Sequence, residues 1–185
     1  MTKFEIAIST LLIGFMLGQA VDFIKYRWGI YRKKKGIYRK KKGISDEVLD
    51  ILDEFKFKAK RIEEILNDIN SVALSGTVTP SSISHVIFDN HYADVAPFYT
   101  RKERAELASI YKCVENFNKE LASGERKGIS SSNNSFISLY AQCRMGIGSI
   151  EHYQRYKGEK SLNDNKEELD RIRLSIQKLA DKYHI

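Results

Sequence analysis

Sixteen consecutive residues near the N-terminus, from Ile6 to Val21, carry no charge. Extending the stretch to Ile24 gives nineteen residues, with Asp22 as the single charged member. A helix of this length is about 28 Å long, which matches the roughly 30 Å hydrocarbon core of a bilayer. We therefore expect an N-terminal transmembrane helix within residues 1–27.

Two other interpretations of this segment are open. Gly18, Gln19 and Ala20 have the small-residue spacing of a cleavage site, so a cleaved signal peptide is one of them. Against cleavage, the leading residues include Lys3 and Glu5 rather than a basic cluster, and the basic tract that follows would oppose export. The other interpretation is a buried amphipathic helix of a soluble protein. The apolar length favours the membrane anchor.

A basic tract follows the apolar segment. Residues 29–42 read GIYRKKKGIYRKKK, a perfect duplication of one heptapeptide. Cations on the C-terminal side of a membrane helix place that side in the cytoplasm. We expect a single-pass protein of the inner (cytoplasmic) membrane, with residues 28–44 as a polybasic juncture and the C-terminal domain in the cytoplasm. The expected lipid-facing cations are Arg32, Lys33, Lys34, Lys35, Arg39, Lys40, Lys41 and Lys42.

The positive charge of the chain is local. The net charge is +7, but residues 25–42 contain ten Lys and Arg and no acid, which leaves the remainder at −3. One interpretation of the tract is contact with anionic membrane lipids, at about 1 kcal/mol for each cation near the surface. The other is contact with nucleic acid, because Tyr31 and Tyr38 alternate with the cations. The spacing is compatible with nucleic acid but does not require it.

One face of the expected anchor carries small and polar residues. Thr10, Gly14, Gly18 and Asp22 recur every four residues, and Gln19 lies beside them. Two glycines four residues apart let helices approach closely, and a carboxylate at membrane depth usually faces a bundle interior or water. The pattern predicts a homo-oligomer with this face at a polar seam or a pore. The alternative is that Asp22 lies among the headgroups and the glycines are incidental.

Residues 45–185 have the pattern of an α-helical bundle, so the expected fold class is all-α. The chain has only two prolines, Pro80 and Pro97, and apolar residues recur at spacings of three and four. Thr100 and Glu103 match a capping box at the start of one helix. The expected helices are 46–75, with Ser45 as N-cap and Gly76 at its end, a short one near 83–91, and then 100–124, 133–156 and 165–183.

No sequence motif specifies a cofactor or a metal site. The chain has no Gly-rich phosphate loop and no HExxH, and His85 and His91 have no cysteine near them in the sequence. Cys113 and Cys143 are too few for a disulfide scaffold, and we expect both to be buried thiols. No cofactor and no metal is therefore expected.

Two residues with catalytic chemistry lie on the helix expected over 133–156. Arg144 and His152 together are able to bind a phosphodiester and to act as general acid or base. The alternative is that both make surface or interhelical polar contacts. Gly146 and Gly148 lie between them, and because a glycine costs a helix interior about 1 kcal/mol, they indicate a close helix contact or a local distortion.

The order of an N-terminal apolar helix, a basic juncture and a helical bundle with a late Arg and His resembles the small accessory membrane proteins of subtype VI-B CRISPR systems. The resemblance implies a HEPN-like bundle, assembly into a membrane pore, and an RNA-guided CRISPR effector as functional partner. The ribonuclease motif of HEPN proteins is Arg, four to six residues, then His, whereas seven residues separate Arg144 from His152. On one helix this offset places the two side chains about 80° and roughly 12 Å apart, so one helix does not direct both at one phosphate.

Three functions follow from these patterns. The first is an oligomeric pore-forming accessory protein that enhances antiviral defence by permeabilising or depolarising the membrane. A single apolar helix cannot enclose a channel, so such a pore requires several protomers. The second is a membrane-tethered ribonuclease that uses Arg144 and His152. The third is a membrane-anchored helical module that senses a ligand.

Overall fold

The computed structural model describes the backbone of residues 3–70, 80–127 and 133–183. It confirms the all-α class, because these ranges contain helices and no strand. The α-helices within them are α1 (Lys3–Asn70), α2 (Val86–Val95), α3 (Arg101–Lys127), α4 (Asn133–Tyr156) and α5 (Lys166–Lys182), and short 3₁₀ helices cover Ala96–Phe98 and Leu162–Asp164.

Helix α1 is longer than its sequence pattern indicated. It continues through the whole basic tract, so Ser45 lies inside the helix and does not cap it. The physical reason is that no proline occurs before Pro80. Each glycine of the basic tract costs the helix about 1 kcal/mol, which weakens it without ending it. The expected end at Gly76 lies outside the described residues.

The chain divides into two compact units, Met1–Lys42 and Gly43–Ile185. In the first unit the large apolar side chains of α1 are exposed, Leu11 to 75% and Met16 to 70%. Within the described part of the chain, no helix combines the length and the apolar character that a membrane crossing requires. In the predicted span, the side chains of residues 6–10, 12 and 13 lie outside the described residues, and the span stays a prediction.

The second unit is a helical bundle in which α4 packs against both α3 and α5. Its core contains Phe55 of α1 and Phe117 of α3, whose rings meet edge to face with 6.0 Å between centroids. In the helix expected over 46–75, the apolar residues spaced by three and four run from Val48 to Ala73, and the structure confirms their burial as far as Leu66. Ile69 is partly exposed, and Ala73 lies outside the described residues. The buried positions of this pattern are Val48, Leu52, Phe55, Ala59, Ile62 and Leu66.

The start of α3 has the predicted capping box. Thr100 Oγ1 accepts a hydrogen bond from the Glu103 amide at 3.1 Å, and Glu103 Oε2 accepts one from the Thr100 amide at 2.7 Å. Helix α2 begins later than expected because the backbone of Ile83 bonds to Asn118 of α3 instead of to a helical turn. Its amide donates to Asn118 Oδ1 at 2.8 Å, and its carbonyl accepts from Asn118 Nδ2 at 2.9 Å.

Candidate functional site

The face of α1 predicted to line an oligomer is open in this chain. Gly14, Gly18, Gln19 and Asp22 are all exposed. A Cβ added to either glycine would meet no atom within 4 Å, so no described part of the chain occupies the space beside them. The side chain of Thr10 lies outside the described residues. The geometry leaves room at Gly14 and Gly18 for the close approach of another helix.

The two copies of the basic heptapeptide have different surroundings. In the first copy all four cations, Arg32 to Lys35, are exposed, and the Arg32 guanidinium lies 4.8 Å from the centre of the Trp28 ring. In the second copy Arg39 and Lys42 are exposed, whereas Lys40 and Lys41 are partly buried and each makes a further interaction. Identical sequences therefore present different sets of charges to the surroundings.

His152 is fully buried, with 0% of its surface exposed. Its Nδ1 lies 3.3 Å from Glu168 Oε2, and its Nε2 lies 3.2 Å from the carbonyl oxygen of Lys160. Both partners are acceptors, so a doubly protonated ring satisfies both contacts and a neutral ring satisfies one. A side chain enclosed in this way has no access to an RNA phosphate.

Glu168 extends the contacts of His152 into a small polar cluster between α4 and α5. Its Oε2 also accepts a hydrogen bond from Asn165 Nδ2 at 3.0 Å and lies 3.5 Å from Arg155 Nη1. Asn165 in turn caps α5, because its Oδ1 accepts from the Glu168 amide at 3.3 Å. The cluster around His152 thus fixes the start of α5 against α4.

Arg144 makes a separate contact between the same two helices. Its Nε donates to Ser175 Oγ at 3.1 Å, and the Ser175 hydroxyl donates to the carbonyl oxygen of Ile172 at 2.6 Å. The bonding partners of Arg144 and of His152 on α5 are thus different residues, Ser175 and Glu168. The structure places both candidate residues in interhelical contacts, which was the alternative to catalysis in the sequence analysis.

Gly146 and Gly148 lie at close helix contacts rather than at a distortion, since α4 continues through both. A Cβ on Gly146 would lie 2.4 Å from Phe55 Cε2 of α1. A Cβ on Gly148 would lie 2.2 Å from Ile172 Cδ1 of α5. The two glycines allow α4 to approach α1 and α5 on its two sides.

The cysteines have weakly nucleophilic thiols. Cys143 is fully buried, as predicted, and burial raises the pKa of its thiol to about 12. Cys113 is partly buried, and burial raises the pKa of its thiol as well, against the opposing effects of Ser149 and Lys112. Because the thiolate is the reactive form, neither thiol has the environment of a catalytic nucleophile.

A buried carboxylate that sequence reasoning missed holds α2 in place. Glu47 of α1 is 6% exposed, and its two oxygens accept from the amides of Ile87 at 2.7 Å and Phe88 at 2.9 Å. Its Oε2 also accepts from the Tyr111 hydroxyl at 2.8 Å. Burial and this hydrogen bond raise the pKa of Tyr111 far above its usual range. Glu47 therefore caps a helix 40 residues away in the sequence.

The comparisons with known proteins do not assign a family. No family model matches the chain, and neither curated protein sequences nor solved structures give a significant match. Among the described residues, no group of three or more His, Cys, Asp or Glu side chains is arranged to hold a metal ion.

Proposed function

We propose that this protein is a membrane-anchored homo-oligomer whose N-terminal helices form a pore. The observation that carries the proposal is the exposed apolar surface of α1 in the first unit. Leu11, Phe15, Leu17, Phe23 and Ile24 are each more than half exposed. Large apolar side chains that a helix exposes in this number are stable only where lipid or other helices cover them.

The residues of the first unit favour contact with lipid on most sides of α1 and contact with other copies of the chain on one side. The uncharged stretch 6–21 is too apolar for water, and the six cations of residues 25–35 suit the cytoplasmic surface of the inner membrane. Gly14 and Gly18 offer the space for helix contact, and Gln19 and Asp22 supply polar groups near the same level. A single helix cannot surround water, so the polar groups of several copies would line the opening.

The second unit then acts as the assembly domain on the cytoplasmic side. A HEPN-like bundle, a role in antiviral defence and an RNA-guided CRISPR effector as functional partner enter the proposal through the resemblance in architecture. We do not propose a ribonuclease, because His152 is enclosed and both of its ring nitrogens contact acceptors.

Ion conductance of vesicles containing the full chain tests the proposal. Asp22→Leu makes the segment more apolar, so insertion should persist, but the loss of a repeated ring of carboxylates should change cation conductance. Asp46→Leu, an exposed acid outside the proposed span, is the matched control and should conduct like the parent. Parent protein that fails to float with vesicles, or that floats without conducting, would refute the pore.

A further inference from the structure

The duplicated heptapeptide lies on one uninterrupted stretch of α1. Seven residues make nearly two helical turns, so equivalent residues of the two copies lie on almost the same side, about 10.5 Å apart along the axis. The pairs Tyr31 and Tyr38, Arg32 and Arg39, and Lys35 and Lys42 are all exposed. Each copy is therefore a matched control for the other.

The two copies lie at different heights above the proposed membrane span. Measured along the axis from Ile24, Arg32 lies about 12 Å away, Arg39 about 22 Å and Lys42 about 27 Å. The headgroup layer is only about 5–8 Å thick on each side. Helical side chains lean toward the N-terminus, so the long arms of the first copy end in that layer or within about 3 Å of it. The side chains of the second copy end about 8 Å or more beyond the headgroup layer, which is about one Debye length.

The second copy thus presents charge and an aromatic ring to the aqueous phase. Of its cations, Arg39 and Lys42 are exposed, and at about 100° per residue they lie with Tyr38 within roughly 100° of the helix circumference, on one face. Tyr38, which precedes them, is 69% exposed. Cations that meet phosphates beside an aromatic ring that stacks on a base are the elements of single-stranded nucleic-acid binding.

We propose that the second heptapeptide, residues 36–42, binds single-stranded nucleic acid through Tyr38, Arg39 and Lys42. The first, residues 29–35, lies at the membrane surface. The inference rests on the membrane span of the proposed function. An exposed aromatic ring beside two cations suits a nucleic acid, which offers bases to stack and phosphates to pair, better than an acidic protein surface, which offers carboxylates alone.

The test measures binding of a fluorescent oligothymidylate to the full chain in nanodiscs of neutral lipid. Arg39→Gln with Lys42→Gln should weaken binding about tenfold and reduce the slope of log K against log salt by about 1.4. The matched pair, Arg32→Gln with Lys35→Gln, should leave the affinity within about twofold. Tyr38→Ala should weaken binding by about fivefold or more, from the loss of one stacked base, and Tyr31→Ala should not.

Three outcomes would overturn the inference: no binding of the oligonucleotide by the parent, equal losses from the two pairs, or equally tight binding of polyglutamate. A separate flotation experiment tests the proposed membrane span: parent protein that does not float with vesicles would refute the span. Circular dichroism of each variant establishes that the helix is retained, so that a lost affinity reports on the missing contacts.

Discussion

At the residue scale, Gly146 and Gly148 each lie against a side chain of another helix, but the two neighbouring side chains differ in how easily they can move. Both added Cβ atoms would overlap a side chain, but Phe55 is a rigid ring with no exposed surface, whereas Ile172 Cδ1 is the end of a rotatable chain. We expect Gly146→Ala to lower the free energy of unfolding by about 2–3 kcal/mol, and Gly148→Ala by less. Urea denaturation of the variants measures both.

The control for this pair is Gly36→Ala. That glycine is also helical, but an added Cβ meets nothing within 4 Å, so its substitution should be neutral or stabilising, by up to about 1 kcal/mol. Equal effects at positions 36 and 146 would contradict the close approach of α4 to Phe55. The sequence indicated that the glycines of α4 serve a contact or a distortion. It did not indicate which, because the partners lie on α1 and α5, far away along the chain.

The enclosed His152 and the part-buried hydrogen bond of Arg144 to Ser175 predict unequal effects on stability. His152→Ala removes a buried ring and leaves the Lys160 carbonyl without this donor, so we expect a loss of about 3 kcal/mol. Arg144→Ala removes a hydrogen bond to Ser175 and should cost about 1 kcal/mol. Arg173→Ala, at a largely exposed position, should cost under about 0.5 kcal/mol.

Thermal unfolding and RNA cleavage are to be measured on the same preparations. RNA cleavage by the parent, abolished by His152→Ala or Arg144→Ala at unchanged stability, would contradict the structural role assigned to both residues.

At the scale of helices, Glu47 replaces the cap that α2 lacks. The residue at the N-cap of α2, His85, makes no side-chain capping bond, and the amides of Ile87 and Phe88 depend on Glu47 instead. Glu47→Ala should lower the free energy of unfolding by about 2–3 kcal/mol, because it leaves the buried Tyr111 hydroxyl and two part-buried amides without their acceptor. Asp53→Ala, at an exposed position on the same helix, is the control. Faster amide exchange confined to α2 would accompany the loss, and equal stability of the two variants would contradict the cap.

The helices show which signals in the sequence are sufficient and which are not. The capping box of Thr100 and Glu103 was predictable because its two residues are three positions apart and satisfy each other. The role of Glu47 was not predictable, because the local sequence does not distinguish an acid in the first turn of a helix from a buried carboxylate that caps a distant helix. Ser45 matched the sequence pattern of a helix start, but α1 continues through Ser45 without a break. An N-cap forms only where backbone amides lack helical partners.

Helix α4 also predicts how the bundle responds to alkali. Burial raises the pKa of Tyr140 to about 12, helped by a hydrogen bond to Glu63, and burial raises that of Tyr153 to about 12 as well. The ordinary value in the unfolded chain is 10.0. The stabilisation is therefore complete below pH 10 and is lost as the pH rises from 10 to 12.

Ultraviolet titration of tyrosinate, followed together with circular dichroism, measures this effect. We expect Tyr140 and Tyr153 to ionise only as the helices are lost. In the double variant Tyr140→Phe with Tyr153→Phe, less tyrosinate absorbance should appear together with the loss of the helices. Complete titration of all tyrosines near pH 10 with the helices intact would contradict the burial.

At the scale of the whole molecule, the two units differ in how far their packing can be predicted from the sequence. Spacings of three and four identify the bundle helices from sequence because a single chain covers their apolar faces. The first unit has no such cover within the described residues, so its partners have to be inferred from chemistry: an uncharged stretch, a glycine pair and a basic tract. This difference is why the bundle was predictable in detail and the assembly is a proposal.

The most direct test of the proposed assembly is the mass of the full chain extracted from membranes in mild detergent, measured by mass photometry. We predict a discrete multiple of 21.3 kDa for the parent and a shift toward single chains for Gly14→Leu with Gly18→Leu, since the added bulk fills the space where helices would meet. The same double substitution at Gly29 and Gly36, outside the apolar segment, should leave the multiple unchanged. A parent that is monomeric, or an assembly that the Gly14 and Gly18 substitutions leave intact, would contradict the proposed oligomer.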